Sequence, residues 1–152
     1  MKQPVQITPF ALAARFMGLR EVAGSVHNPH ILAMLQLDAK WVGDDETPWC
    51  SAFANYVAWL LDCGRSRSLA ARSWLSVGTR VEENDARPGF HVVVLSRGSG
   101  FQPGPTVLDA PGHVGFFAYY DGDDVGVLGG NQGNAVCINK YPKARVLGIR
   151  EI

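Results

Sequence analysis

The sequence is short of net charge, of cysteine and of long apolar runs, and each shortage excludes something. Fourteen Lys and Arg balance fourteen Asp and Glu, so the net charge is zero with neutral histidines. A protein that neutralises nucleic-acid phosphates normally carries a basic excess, so nucleic acid is not an expected partner. Cys50, Cys63 and Cys137 share no CxxC spacing and leave at least one thiol unpaired. That argues against both a disulfide framework and a structural zinc site. Apolar stretches such as Val57–Leu61 and Val92–Leu95 fall far short of the roughly 20 residues that cross a bilayer. Met1–Gln6 holds one lysine and no sustained apolar core, so no secretory signal is expected there. No internal repeat or linker is evident. At 47% hydrophobic and 18% charged residues, the composition is that of one soluble globular domain made in the cytoplasm.

The first half reads as helical. Phe10–Leu19 is rich in Ala, Leu and Arg, with Gly18 and Gly24 limiting it. Asn28 suits an N-cap and Pro29 the first position of a helix running to Ala39. Lys40–Thr47 is a polar loop with the acids Asp44, Asp45 and Glu46. Thr47 and Pro48 repeat the cap-and-proline signal ahead of a mostly buried helix over Trp49–Cys63, stopped at Gly64. Ser68–Leu75 predicts one more short helix. The second half changes period. Phe90–Leu95, His113–Tyr120, Val125–Leu128, Ala135–Asn139 and Arg145–Ile152 read as strands, with a turn at Asp121–Asp124 and a Gly/Asn turn at Gly129–Asn134. Ser96–Pro111 is a long Gly/Pro/Ser loop, a length more often functional than not. Helices first and hairpin-linked strands second predict an α+β domain with an antiparallel sheet.

Cys50 is the most informative residue. A thiol in the first turn of a helix faces the positive end of the macrodipole and free backbone N–H groups, which stabilise a thiolate. The same N–H groups can hold the oxyanion of a tetrahedral intermediate. The alternative is a small buried hydrophobe, the role that Cys63 and Cys137 fit. A cysteine nucleophile needs a base. His113 opens a strand directly after Pro111–Gly112, at a sheet rim, and is the best placed of four histidines. His27 and His30 could be metal ligands but lack a third, and His91 sits inside a strand. The base in turn needs an orienting group. Asn131 lies in the turn after the strand that pairs with that of His113, and Gln132 is adjacent and could serve instead. Asn131 could equally be present because asparagine tolerates a left-handed turn conformation.

Taken together, Glu46–Phe53 (ETPWCSAF), Gly112–Phe116 (GHVGF) and Leu128–Gln132 (LGGNQ) resemble the CHAP-type branch of the NlpC/P60 cysteine peptidases. They are similar, more narrowly, to a small single-domain group from phages and prophages. Ala70–Leu75 (AARSWL) and Tyr141–Lys143 (YPK) support the resemblance, which covers roughly Phe16–Arg150. It implies a papain-like α+β fold, with the nucleophile helix packed on an antiparallel sheet, and hydrolysis of an amide bond in peptidoglycan stem peptides or cross-links. Cys50 matches the nucleophile, His113 the general base and Asn131 the polar third member. Thiolate Cys50 would attack the carbonyl while protonated His113 serves the departing amine. Trp49, Trp74, Glu46 and Gln132 are candidates for substrate contacts. Where relatives begin the strand after Pro88–Gly89 with an aspartate, this chain has Phe90 and His91.

Some relatives bind calcium just before the nucleophile. Asp44, Asp45 and Glu46 lack the alternating spacing of such loops, so neither metal nor other cofactor is expected. The resemblance therefore implies a phage or prophage endolysin of one catalytic domain (residues 1–152) without a wall-binding domain. It would be a monomer whose partner is peptidoglycan, with no stable membrane association. It would be made in the host cytoplasm and released to the periplasm by a holin. An interbacterial effector amidase and a catalytically silent wall-binding module are the alternatives.

Overall fold

The computed structural model describes residues 1–152. Its helices α1 (Pro9–Ala14), α2 (Pro29–Gln36) and α3 (Cys50–Leu60) precede six strands, β1 (Thr79–Val81), β2 (His91–Ser96), β3 (Gly112–Asp121), β4 (Asp124–Gly129), β5 (Cys137–Pro142) and β6 (Val146–Glu151). The strands form one sheet in the order β1-β6-β2-β3-β4-β5, antiparallel throughout. The expected α+β architecture is therefore observed. No helix is long and apolar enough to cross a membrane.

The period-2 alternation of strands decides which side chains meet the helices. Val92, Val94, Val114, Phe116 and Leu128 face the helical layer and join Ile31, Met34, Phe53 and Val57 in the main core. Val93, Leu95, Phe117, Val125, Val127 and Ile149 point the other way into a smaller cluster, partly covered by Val81, Tyr120 and Tyr141. Central strand β2 is thus buried along its whole length. That explains why Val92–Leu95 reads as a continuous apolar run rather than an alternating one. Phe53 ties the layers together, meeting Phe16 and Phe116 edge-to-face with ring centres 5.9 and 6.2 Å apart.

Several boundaries differ from the sequence reading. Thr47 does not cap α3. Its N–H and hydroxyl both donate to Asp44 Oδ1, at 2.8 and 3.2 Å, closing a tight loop before the helix. The N-cap is Trp49, which offers no side-chain acceptor, and Cys50 is the first helical residue. The short helix expected over Ser68–Leu75 is a 3-10 helix over Ala71–Ser76. β1, a three-residue edge strand, carries too little pattern to be seen in sequence. The segment after α1 clasps the far side of the sheet. Gly18 N–H and Val136 N–H donate to Val136 O and Leu19 O at 3.0 and 2.8 Å, and Glu21 N–H to Asn134 O at 3.0 Å.

Candidate active site

The first turn of α3 is fixed by the residue after Cys50. Ser51 Oγ donates to Ser68 O at 2.6 Å and accepts from Trp74 Nε1 at 2.9 Å. One turn on, buried Asn55 holds the same segment through Ser68 O and the Arg67 N–H, at 3.0 and 2.9 Å. These bonds set the helix end, and with it Cys50, against β3. The sulfur is faced by the backbone N–H groups of Val114, Ser51 and Cys50 itself, and by the charge of Arg97. All four favour a thiolate, yet burial outweighs them and pushes the thiol pKa up.

His113, the residue before Val114, is buried. Its Nε2 lies 2.9 Å from Gln132 Oε1. The orientation of that amide is set by the rest of its surroundings. Gln132 Nε2 donates to Val127 O and Cys137 O at 3.1 and 2.6 Å, and Tyr141 Oη donates to Gln132 Oε1 at 3.0 Å. With two carbonyls on the nitrogen, the oxygen must face the imidazole, and an amide oxygen can only accept. His113 therefore carries its proton on Nε2, leaving Nδ1 as the ring's acceptor. Burial lowers the His113 pKa from 6.5 to about 4, with Arg97 and Arg145 adding to the effect against the Gln132 hydrogen bond. Burial thus favours the uncharged form of each group, the thiol of Cys50 and the neutral imidazole of His113.

The side chain bonded to the His113 ring is that of Gln132, not that of Asn131. Asn131 lies beside it with φ 56°, left-handed like Gly133 and Asn134 of the same turn; its side chain makes no bond to His113. Two glycines make the arrangement possible for steric rather than conformational reasons. A Cβ on Gly129 would stand 2.9 Å from Gln132 Oε1 and 3.3 Å from His113 Nε2, and one on Gly130 would stand 2.6 Å from the Trp49 ring.

The other candidates for substrate contact go elsewhere. Trp49 is wholly buried, donating Nε1–H to Glu21 Oε1 at 2.7 Å, and Trp74 is wholly buried against Ser51. Both are core residues, their rings packed in the main hydrophobic cluster. Glu46 lines a separate surface hollow with Arg20 and Asn134. The three acids before α3 diverge. Asp44 serves Thr47, and wholly buried Asp45 accepts from Val22 N–H, Asn28 N–H and His27 Nδ1 at 2.9, 2.8 and 3.1 Å. Burial alone would raise the Asp45 pKa, but these donors hold it below the ordinary value.

Two adjoining cavities open over the pair. Cys50 lines one of about 420 Å³ with Pro48, Leu69, Asp109 and Gly112. His113 lines one of about 240 Å³ with Asn131, Gln132, Tyr141 and Arg145. Arg97 lines both. A hollow of about 420 Å³ at the β1–β6 edge holds no cysteine or histidine. The loop roofing the Cys50 cavity is held by Arg72, which is wholly buried. Its Nε donates to Pro111 O at 2.9 Å, and its Nη1 faces Pro103 O, Gly104 O and Val107 O at 2.9–3.1 Å. Neither arginine was singled out for a role from sequence. Arg97 carries no local signal, and Arg72 stands in a helical string that says nothing of its distant carbonyl partners.

No protein-family model matches the chain, and no curated protein matches it. Among solved structures it is similar to NlpC1 from Trichomonas vaginalis, with a TM-score of 0.54 and 14% identity. The match covers 99% of this chain and 46% of that one, so the chain spans about half the length of its structural neighbour. At this identity the likeness shows the fold, an NlpC/P60-type papain-like α+β architecture.

Proposed function

We propose that the protein is a cysteine hydrolase that cuts an amide bond of peptidoglycan, in the manner of a small phage or prophage endolysin. The observation that carries this reading is the His113–Gln132 bond, which leaves Nδ1 as the acceptor of an imidazole one residue before Val114, whose backbone N–H faces the cysteine at the N-terminus of α3. The structural likeness to an NlpC/P60 protein supports the chemistry, and the ETPWCSAF, GHVGF and LGGNQ strings support the substrate class.

In this reading His113 Nδ1 takes the Cys50 proton, and the sulfur attacks the scissile carbonyl carbon. First-turn backbone N–H groups, which no side chain caps, receive the developing oxyanion. Protonated His113 then gives its proton to the departing amine, leaving a thioester. Water, deprotonated by the same nitrogen, releases the acid and restores the thiol. Gln132 accepts from Nε2–H throughout and so holds both tautomer and ring plane. Digestion of purified Gram-negative peptidoglycan by wild type and Cys50→Ala, read by mass spectrometry, tests this. Fragments released by wild type alone support the reading, and their masses name the bond. No release under conditions where a control lysin works rejects it.

A further inference from the structure

Arginines near the site differ in whether their guanidinium groups are committed. Arg72 is spent on loop carbonyls. Arg145 donates from Nε and Nη2 to Ser96 O at 3.1 and 2.7 Å, with its guanidinium 5.7 Å from the Tyr141 ring centre. Arg97 makes neither a hydrogen bond nor an ion pair, and its side chain is exposed. It is nonetheless the one residue that lines both the Cys50 cavity and the His113 cavity. It directly follows Ser96, the last residue of β2, whose carbonyl is pinned by Arg145. The root of Arg97 is thus held to the sheet while its tip is free. Together the two linings hold two guanidinium groups, those of Arg97 and Arg145, and one carboxylate, that of Asp109.

We infer that Arg97 is a substrate-binding residue that receives a carboxylate, and that the site takes anionic peptide segments in preference to neutral ones. A planar guanidinium matches a carboxylate through two parallel N–H···O bonds, and Arg97 stands where the linings of the Cys50 and His113 cavities meet. Such an anion also answers an electrostatic problem of the empty site. The Arg97 charge opposes protonation of His113. A carboxylate bound to Arg97 offsets that charge when the imidazole must accept the thiol proton, so binding the correct substrate favours the base. This inference rests on the hydrolase reading for its substrate class.

The test uses matched stem-peptide fragments that carry either a free carboxylate or the corresponding carboxamide at one position at a time. Wild type should cleave one carboxylate form roughly tenfold or more better in kcat/KM, through KM. Arg97→Gln should bring that ratio toward one, Arg97→Lys should keep part of it and Arg97→Glu should invert it. Calorimetric binding of the same pairs to Cys50→Ala separates the two readings. Carboxylate-selective binding without cleavage by wild type upholds Arg97 and rejects the hydrolase. Cleavage of both forms at equal rates, unaffected by Arg97→Gln, rejects the Arg97 assignment and leaves the hydrolase standing. Neither binding nor cleavage of any pair overturns both. Thermal melts of each variant should match wild type, because Arg97 is exposed and unbonded.

Discussion

Acid should destabilise this protein partly through His113. The imidazole is 5% exposed, and burial takes its pKa from 6.5 to about 4. Between those values the unfolded chain binds a proton that the folded chain does not. The contribution of His113 to stability is therefore complete above about pH 6.5 and is lost as the pH falls through 4. The gap corresponds to about 3 kcal/mol, a large share of the roughly 5–15 kcal/mol that holds a typical domain folded.

The assay is urea unfolding at intervals from pH 7 to pH 4, followed by fluorescence of the four tryptophans, for wild type and His113→Gln. Glutamine keeps a donor for Gln132 Oε1 but cannot titrate. Wild type should lose about 3 kcal/mol more than the variant over this range. Burial also lowers the pKa of His91, and Asp45 is held low by its donors, but both remain in the two proteins and cancel in the difference. Imidazole NMR should place the His113 midpoint near 4 directly. A midpoint at or above 6.5, with equal acid sensitivity in the two proteins, would refute the reasoning. It would mean that an ion pair with Cys50 dominates burial.

Three further outcomes are expected. Gln132→Ala should lower kcat/KM of the proposed wall-digesting activity by tenfold or more, whereas Asn131→Ala should retain most activity and lose about 1 kcal/mol of stability at its left-handed position; a steady-state rate and a urea curve for each variant decide this. Gly130→Ala drives a methyl into the Trp49 ring and should cost about 1–3 kcal/mol, with a shifted tryptophan emission as the accompanying sign. Arg72→Met strips four carbonyls of their donors and should destabilise by about 3 kcal/mol or more; limited proteolysis should then cut within residues 97–111 before the rest of the chain unfolds.

The sequence signals that survived folding were those set by local chemistry or strict periodicity. Asn28 does cap α2, its side chain accepting from His30 N–H at 2.9 Å, with Pro29 at the first helical position. The β3–β4 hairpin follows from two β-branched and aromatic runs around a turn with Gly122 at φ 59°. What failed depended on partners far along the chain. Thr47 and Pro48 carry a valid start signal, but Asp44 competes for the threonine and delays α3 by two residues. Asn131 and Gln132 are equally polar and adjacent. Only the positions of Val127 O and Cys137 O, on two different strands, determine that the glutamine turns inward. Tryptophans flanking a nucleophile suggest a substrate groove, yet Glu21 and Ser51 supply indole acceptors that let both rings sink into the core.

The Arg72 guanidinium amounts to a captive cation. Four backbone carbonyls from residues 103–111 gather around it much as oxygens gather around a bound ion, while one nitrogen, Nη2, is buried without a partner. A loop organised by a dissolved ion comes and goes with that ion's concentration. A loop wrapped on a tethered charge has its organiser at a local concentration that no dilution or chelator can change. The roof of the Cys50 cavity is therefore as permanent as the 3-10 turn that carries Arg72, and chelators should leave its shape untouched. The two walls of the cleft move together or not at all.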